Sequence, residues 1–212
     1  MKIELLYKIL GFAIAVVFSI FISDIRKKYG MKSILKKPFI IAMEVCYLVP
    51  IGIYFYTLYK IERLKVVADW GALLLTTMGT FLVIKAKIDL GDNHTWVGYY
   101  KNSSVMVTKG IYSFMRHPIC TGIYLFFFGV LFTVLMHQFH LALIVIPILS
   151  YIMAIIAIAG KKETEYLRKK FGAAFEIYRK TVHPFLPLRK FSLQNRKFKP
   201  RNRNSFKNRS FS

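Results

Sequence analysis

The chain places an Arg-His pair, closed by proline, at the foot of a long uncharged run. Gly110-Ile111-Tyr112 leads into Arg116-His117-Pro118, and no Asp, Glu, Lys or Arg follows until Lys161, with Glu163 close behind. If that run folds as a two-helix hairpin, it returns to the face it left, and Arg116, His117 and Glu163 converge. A guanidinium and an imidazole beside helix-start amides suit an anionic group. Tyr112 offers a stacking ring, and Gly110 allows a close backbone approach. A carboxylate at 163 suits ribose hydroxyls or an ammonium group. Each residue also has an ordinary reading. Basic residues flank membrane spans, and proline is favoured at a first helical position. A glutamate beside Lys161, Lys162 and Lys170 most often forms an exposed ion pair. The convergence of the pieces points beyond those readings.

The elements that must position these groups are hydrophobic blocks. Of 212 residues, 55% are hydrophobic, and the mean hydropathy is +0.42. The apolar residues fall in stretches near the roughly 20 residues that a helix needs to cross hydrocarbon. Five spans are expected, at about Leu5–Ser23, Phe39–Tyr59, Val66–Ile84, Ile119–Met136 and Phe139–Gly160. The fold class is therefore all-α and polytopic. The first block has no small-residue cleavage signature and reads as a retained span. Lys8 lies where it can snorkel, and Pro147 is expected to kink the fifth span. Gly11, Ala15 and Ser19 recur at four-residue spacing, a small face suited to close packing on another helix.

Charge orients the bundle. The formal net charge is +22, from 32 Lys+Arg against 10 Asp+Glu. Basic residues crowd Asp24–Lys37, Lys85–Arg116 and the region after Gly160, while the turn between the last two spans has none. The positive-inside rule puts the N-terminus outside and the C-terminus in the cytoplasm. Residues 161–190 carry Tyr166, Leu167, Phe171, Phe175 and Tyr178 at helical spacing, broken near Gly172 and ended by Pro184 and Pro187. Residues 189–212 are basic, lack acids and contain scattered Phe. They are expected to be disordered or to contact anionic lipid, with RNA the less favoured partner because no nucleic-acid-binding motif accompanies them. Other polar groups weigh less. Glu44 lies inside the second span but near its cytoplasmic start, Asp69 reads as interfacial, and His137 and His140 sit at the outer turn without a third ligand. Cys46 and Cys120 form neither a disulfide framework nor a metal pattern.

Two segments carry a family resemblance. Val107-Thr108-Lys109-Gly110-Ile111-Tyr112, followed by Arg116-His117-Pro118-Ile119-Cys120-Thr121-Gly122, resembles the LVxxGxYxxxRHPxYxG signature of the isoprenylcysteine carboxyl methyltransferase family. Membrane phospholipid methyltransferases share it in looser form. Glu163-Thr164-Glu165-Tyr166-Leu167, with Phe171-Gly172 and Tyr178, resembles that family's closing EExxLxxxFGxxYxxY segment. The match spans about residues 85–188, within a methyltransferase domain expected at 1–188. The resemblance implies a membrane enzyme that uses S-adenosylmethionine at the cytoplasmic face and takes a lipophilic methyl acceptor from the bilayer. The implied cofactor strip is Ser104, Val105, Met106, Val107, Tyr112, His117, Pro118, Ile119 and Cys120, and the implied cofactor-binding acid is Glu163. No soluble-type GxGxxG is present.

Departures from the pattern leave the acceptor open. Cys120 replaces the tyrosine of RHPxY, and Thr164 replaces the second acid of EExxL. Arginines common in the family are missing near Ala159-Gly160 and at Thr181. Such arginines suit a substrate carboxylate. Two other readings remain: a sterol-type membrane reductase, which needs a pocket for NADPH, and a non-catalytic membrane protein acting through its basic tail.

Overall fold

The computed structural model describes residues 3–23, 31–33, 35–93, 99–101 and 105–185. Seven α-helices follow one another: α1 Ile3–Ser23, α2 Lys37–Cys46, α3 Leu48–Lys60, α4 Val66–Leu90, α5 Pro118–His137, α6 Phe139–Phe171 and α7 Ala173–Thr181. Two three-residue strands, β1 Met31–Ser33 and β2 Tyr99–Lys101, pair antiparallel. Five helical segments are long and apolar enough to cross a membrane, with α2 and α3 together making one of them. The architecture is an all-α polytopic membrane protein. Large apolar side chains such as Phe12, Val45, Leu48, Val67 and Phe81 face outward, as lipid contact requires.

The second span is interrupted at Tyr47, which ends α2 and precedes α3. Pro50 explains the break: it has no N–H to donate, and it is tolerated in the first turn of a new helix. The fifth span runs through Pro147 without interruption and continues past Gly160 to Phe171. At 33 residues, α6 is about 50 Å long, so its charged end projects well beyond a ~30 Å hydrocarbon layer. Gly172, at φ 52°, ends α6 and starts α7.

The central contact is between α4 and α5. A Cβ on Gly79 would lie 2.5 Å from the Gly122 carbonyl oxygen and from the Phe126 nitrogen. A Cβ on Gly129 would lie 2.6 Å from the Ala72 carbonyl oxygen, and one on Gly122 would lie 2.7 Å from that of Gly79. The two helices thus meet backbone to backbone along three glycines, the small-residue packing that association within lipid favours. The small face expected on α1 plays a lesser part, with Gly11 meeting Leu58 and the Tyr54 hydroxyl on α3. Phe18 of α1 stacks on Phe126 of α5 with ring centroids 3.6 Å apart, and Phe127 meets Phe18 and Tyr47 edge-on.

Polar ties clamp the bundle at the end that holds the α5–α6 turn. Lys8 Nζ donates to the Tyr59 carbonyl at 2.9 Å. At that end Asp69 is fully buried. It accepts the Lys65 amide at 2.7 Å and lies 2.8 Å from His137 Nε2. A carboxylate one turn into α4 favours the positive end of the helix dipole, and its two partners satisfy it there. Glu44 is half-buried on α2.

A side chain added at Gly79 has only backbone to push against. Gly79→Val is expected to destabilise the α4–α5 pair by about 1–3 kcal/mol, whereas Gly71→Ala, with no neighbouring atom within 4 Å of the new Cβ, should be neutral. Thermal unfolding in detergent micelles checks this, and equal behaviour of the two variants would refute the glycine seam.

Candidate functional site

The end of α4, the start of α5 and the extension of α6 meet at the opposite end of the bundle from Asp69. Asp89, in the last turn of α4, accepts the Ile111 amide on Oδ2 at 2.7 Å and Lys85 Nζ on Oδ1 at 2.5 Å. This tie sets the turn Gly110–Ser113 against α4. Gly110 has φ 59°, and a Cβ there would collide with the Asp89 carboxylate, so glycine is required on both counts. The turn buries Tyr112, whose carbonyl accepts the Tyr178 hydroxyl of α7 at 2.7 Å. Asn93 Oδ1 accepts the Val105 amide at 3.0 Å and holds the incoming strip beside α4.

The Arg116-His117-Pro118 corner is pinned by the segment after α7. The Arg116 amide donates to the His183 carbonyl and the His117 amide to that of Pro184, each at 2.9 Å. Arg116 Nε donates to the Val182 carbonyl at 3.1 Å. The expected anion cradle loses these two amides, because both are already paired. Pro118 then opens α5 as its first residue, a position where the missing N–H costs nothing.

His117 forms the wall between two cavities. Its Nδ1 lies 4.0 Å from Glu163 Oε2, and its Nε2 lies 3.5 Å from Thr164 Oγ1. The α5–α6 hairpin therefore does bring His117 and Glu163 together. Burial, reinforced by the charge of Arg116, pushes the imidazole pKa down to about 4, so the ring is neutral at pH 7. Burial also lowers the pKa of Arg116 and raises that of Tyr112, with Glu163 adding to the latter.

The first cavity holds about 740 Å³ of empty space including its open mouth. Val105, Met106 and Val107 form one side, with Leu90 and Asn93 below them. Tyr112, Tyr166, Phe175 and Tyr178 supply aromatic walls, and Glu163 and His117 the polar ones. The second cavity, about 1040 Å³ by the same measure, shares Arg116 and His117. Cys120, Ile156 and Ala157 line its apolar part, while Lys161, Arg168 and Arg179 line its charged part.

Of the residues expected in a cofactor strip, Val105, Met106, Val107, Tyr112, His117 and Glu163 surround the first cavity. Cys120 lines the second, and Pro118 and Ile119 line neither. Ser104 lies outside the described residues, as do Pro187 and the tail at 189–212. Sequence reasoning missed Asp89, which acts through a turn more than twenty positions away. It read Phe175 and Tyr178 as the apolar side of a helix, which is correct, without seeing that this side closes a cavity.

The family model for phospholipid methyltransferases matches residues 67–174, just over half of the chain. The match takes in α4, both sides of the His117–Glu163 contact and the Gly172 corner. It begins earlier than the motifs alone indicate and includes the third span. No curated protein matches the chain.

The lowered pKa of His117 has a signed consequence. Between about pH 6.5 and 4 the unfolded chain takes up a proton that the folded site refuses, so stability falls as pH falls through that window. It is unchanged by this group above the window and level below it. Thermal unfolding of wild type and His117→Asn should therefore diverge in pH slope between pH 6.5 and 4. Parallel curves would contradict a neutral, buried imidazole.

Proposed function

The chain belongs to the phospholipid methyltransferase family, and from that membership we propose that this membrane methyltransferase uses S-adenosylmethionine in the first cavity and methylates a lipophilic acceptor admitted to the second. The observation that carries this reading is the His117 wall: one side chain borders an aromatic, acid-bearing cleft and a larger, partly apolar one.

The residues of the first cavity fit the cofactor chemically. Glu163 has one ionic neighbour among the described residues, His117 at 4.0 Å, and that ring is neutral at pH 7. In its charged form the Glu163 carboxylate can accept hydrogen bonds from ribose hydroxyls or an ammonium group. Tyr112, Phe175 and Tyr178 offer faces for a flat heterocycle. The strip Val105–Val107 offers close apolar backbone. Bound S-adenosylmethionine supplies a methyl group already activated by its positive sulfur.

What the chain must add is alignment and exclusion of water, which contribute much of the rate where the methyl is so activated. The Asp89–Ile111 tie fixes one wall and the Tyr178–Tyr112 bond holds α7 over it. The neutral His117 ring adds no positive charge beside a sulfonium. In the second cavity, Ile156 and Ala157 lie on the part of α6 that crosses the apolar layer, a route for an acceptor arriving from lipid.

Residues 1–188 are proposed to act as one catalytic unit with the site on the cytoplasmic side. The basic residues at that end of α4, α5 and α6 support this orientation, with the N-terminus outside. The tail at 189–212 is proposed to contact anionic lipid.

Titration calorimetry on the detergent-purified chain should detect S-adenosylhomocysteine binding. Glu163→Gln and His117→Asn should each weaken it about tenfold or more, in line with ~1.5–3 kcal/mol for a charge-assisted hydrogen bond. Wild-type affinity in both variants would overturn the site assignment, and binding of NADPH instead of S-adenosylhomocysteine would favour a reductase.

A further inference from the structure

Thr164 replaces the second acid of the EExxL pattern, and its hydroxyl has two polar neighbours. Its Oγ1 lies 2.9 Å from the Gly160 carbonyl oxygen, one turn back on α6, and 3.5 Å from His117 Nε2. A hydroxyl has one proton to give and lone pairs with which to accept. The carbonyl can only accept, and at the shorter distance it takes that proton. Thr164 is then left as an acceptor toward His117. At 3.5 Å this contact is at the long limit of a hydrogen bond. Among the described residues it is still the one partner within such reach of either ring nitrogen. The nearest group to Nδ1 is Glu163 Oε2, at 4.0 Å, too far for a hydrogen bond.

A neutral imidazole carries its proton on one nitrogen, and the hydrogen bonds around the ring decide which. Here Nε2 has an acceptor in reach and Nδ1 has none. The corner also holds the ring in place. The His117 amide is tied to the Pro184 carbonyl at 2.9 Å, and the Phe185 ring lies 5.7 Å from the imidazole, centroid to centroid. Glu163 lines the first cavity and Thr164 the second, while His117 borders both. The ring proton therefore faces the second cavity, and the bare nitrogen faces the first. A carboxylate at position 164 would instead favour a second proton on the ring. That would set a positive charge beside the space proposed for a sulfonium.

We propose that Thr164 is a positioning residue that fixes His117 as the Nε2-protonated tautomer, so that Nδ1 and Glu163 face the first cavity as a pair of acceptors. The ligand of that pair rests on the cofactor reading of the first cavity; the tautomer does not. Two acceptors 4.0 Å apart suit a group with two polar hydrogens, either the ribose hydroxyls or the ammonium of the methyl donor. The opposite tautomer would turn an N–H toward that group and oppose one of its donors. Thr164 thus acts on the first cavity through His117, from the far side of the wall.

The test is 15N NMR of the full chain in detergent, labelled at its five histidines, with the His117 signals identified by their loss in His117→Asn. At pH 7 wild type should show a protonated Nε2 and a bare Nδ1. Thr164→Ser, which keeps the hydroxyl, should preserve that pattern. Thr164→Val, which keeps the shape and loses the acceptor, should move a substantial share of the population to the Nδ1-protonated form. Ser150→Ala removes the same kind of helical back-bond elsewhere on α6 and should change nothing. A protonated Nδ1 in wild type, or an unchanged pattern in Thr164→Val, would overturn the tautomer assignment. Calorimetry reads the consequence for binding. Thr164→Val should bind S-adenosylhomocysteine about fivefold more weakly, the scale of one hydrogen bond, and Thr164→Ser should match wild type. Methylthioadenosine, which has the ribose hydroxyls but no ammonium, locates the donor. An equal loss assigns the acceptor pair to the ribose, and an undiminished affinity assigns it to the ammonium. Undiminished binding of S-adenosylhomocysteine in Thr164→Val would remove the acceptor pair. Failure of wild type to bind S-adenosylhomocysteine, with the NMR pattern as expected, would overturn the cofactor reading and leave the tautomer standing.

Discussion

The backbone-to-backbone approach of α4 and α5 is the constraint on which the rest depends. In lipid, apolar side chains gain little by leaving one apolar neighbour for another, so close packing must hold helices together. Three glycines, Gly79, Gly122 and Gly129, let the two backbones meet. Because α4 ends and α5 begins at the same end of the bundle, that approach fixes the distance between Asp89 and the Arg116-His117 corner. The described stretch that leads into α5, residues 105–117, then has little freedom. Its turn must cross at Gly110, where only glycine clears the Asp89 carboxylate, and Tyr112 is delivered into the cleft.

The second half of the site follows from the length of α6. A span that stopped at the membrane surface would end near Gly160 and leave Glu163 in a loop. The helix instead continues to Phe171, so Glu163 and Thr164 are held on rigid backbone against the two nitrogens of His117. The segment after α7 completes the corner by occupying the Arg116 and His117 amides. His117 is thereby buried, neutral and shared between two cavities. That is a suitable wall between a cationic methyl donor and an acceptor: it separates the two spaces without adding charge to either.

Much of this was legible in the sequence, and what was not has identifiable causes. The five spans follow from hydropathy, and the convergence of His117 with Glu163 follows from the parity of helical crossings. The Gly172 break and the apolar side of α7 follow from spacing. The break at Tyr47 was missed because hydropathy does not change there; Pro50 marks a helix start that a continuous apolar run conceals. The burial of Asp69 was missed because its partner, His137, lies on another helix. The glycine seam was sought on α1, where the four-residue spacing is regular, rather than on α4 and α5, where the glycines of two helices matter jointly. Nothing in the sequence set Asp89 apart at the end of its span. Its role depends on a positive-φ glycine distant in the chain, a relation that spacing alone does not encode.

The central claim is that one cleft, walled by the strip before α5 and by the extension of α6 with α7, holds the methyl donor. Ultraviolet cross-linking of radiolabelled S-adenosylmethionine to the purified chain, followed by peptide mapping, tests it most directly. The account predicts label on peptides spanning 105–117 and 163–178, suppressed by excess S-adenosylhomocysteine. Label confined to α1–α3, or label that excess S-adenosylhomocysteine does not suppress, would contradict it.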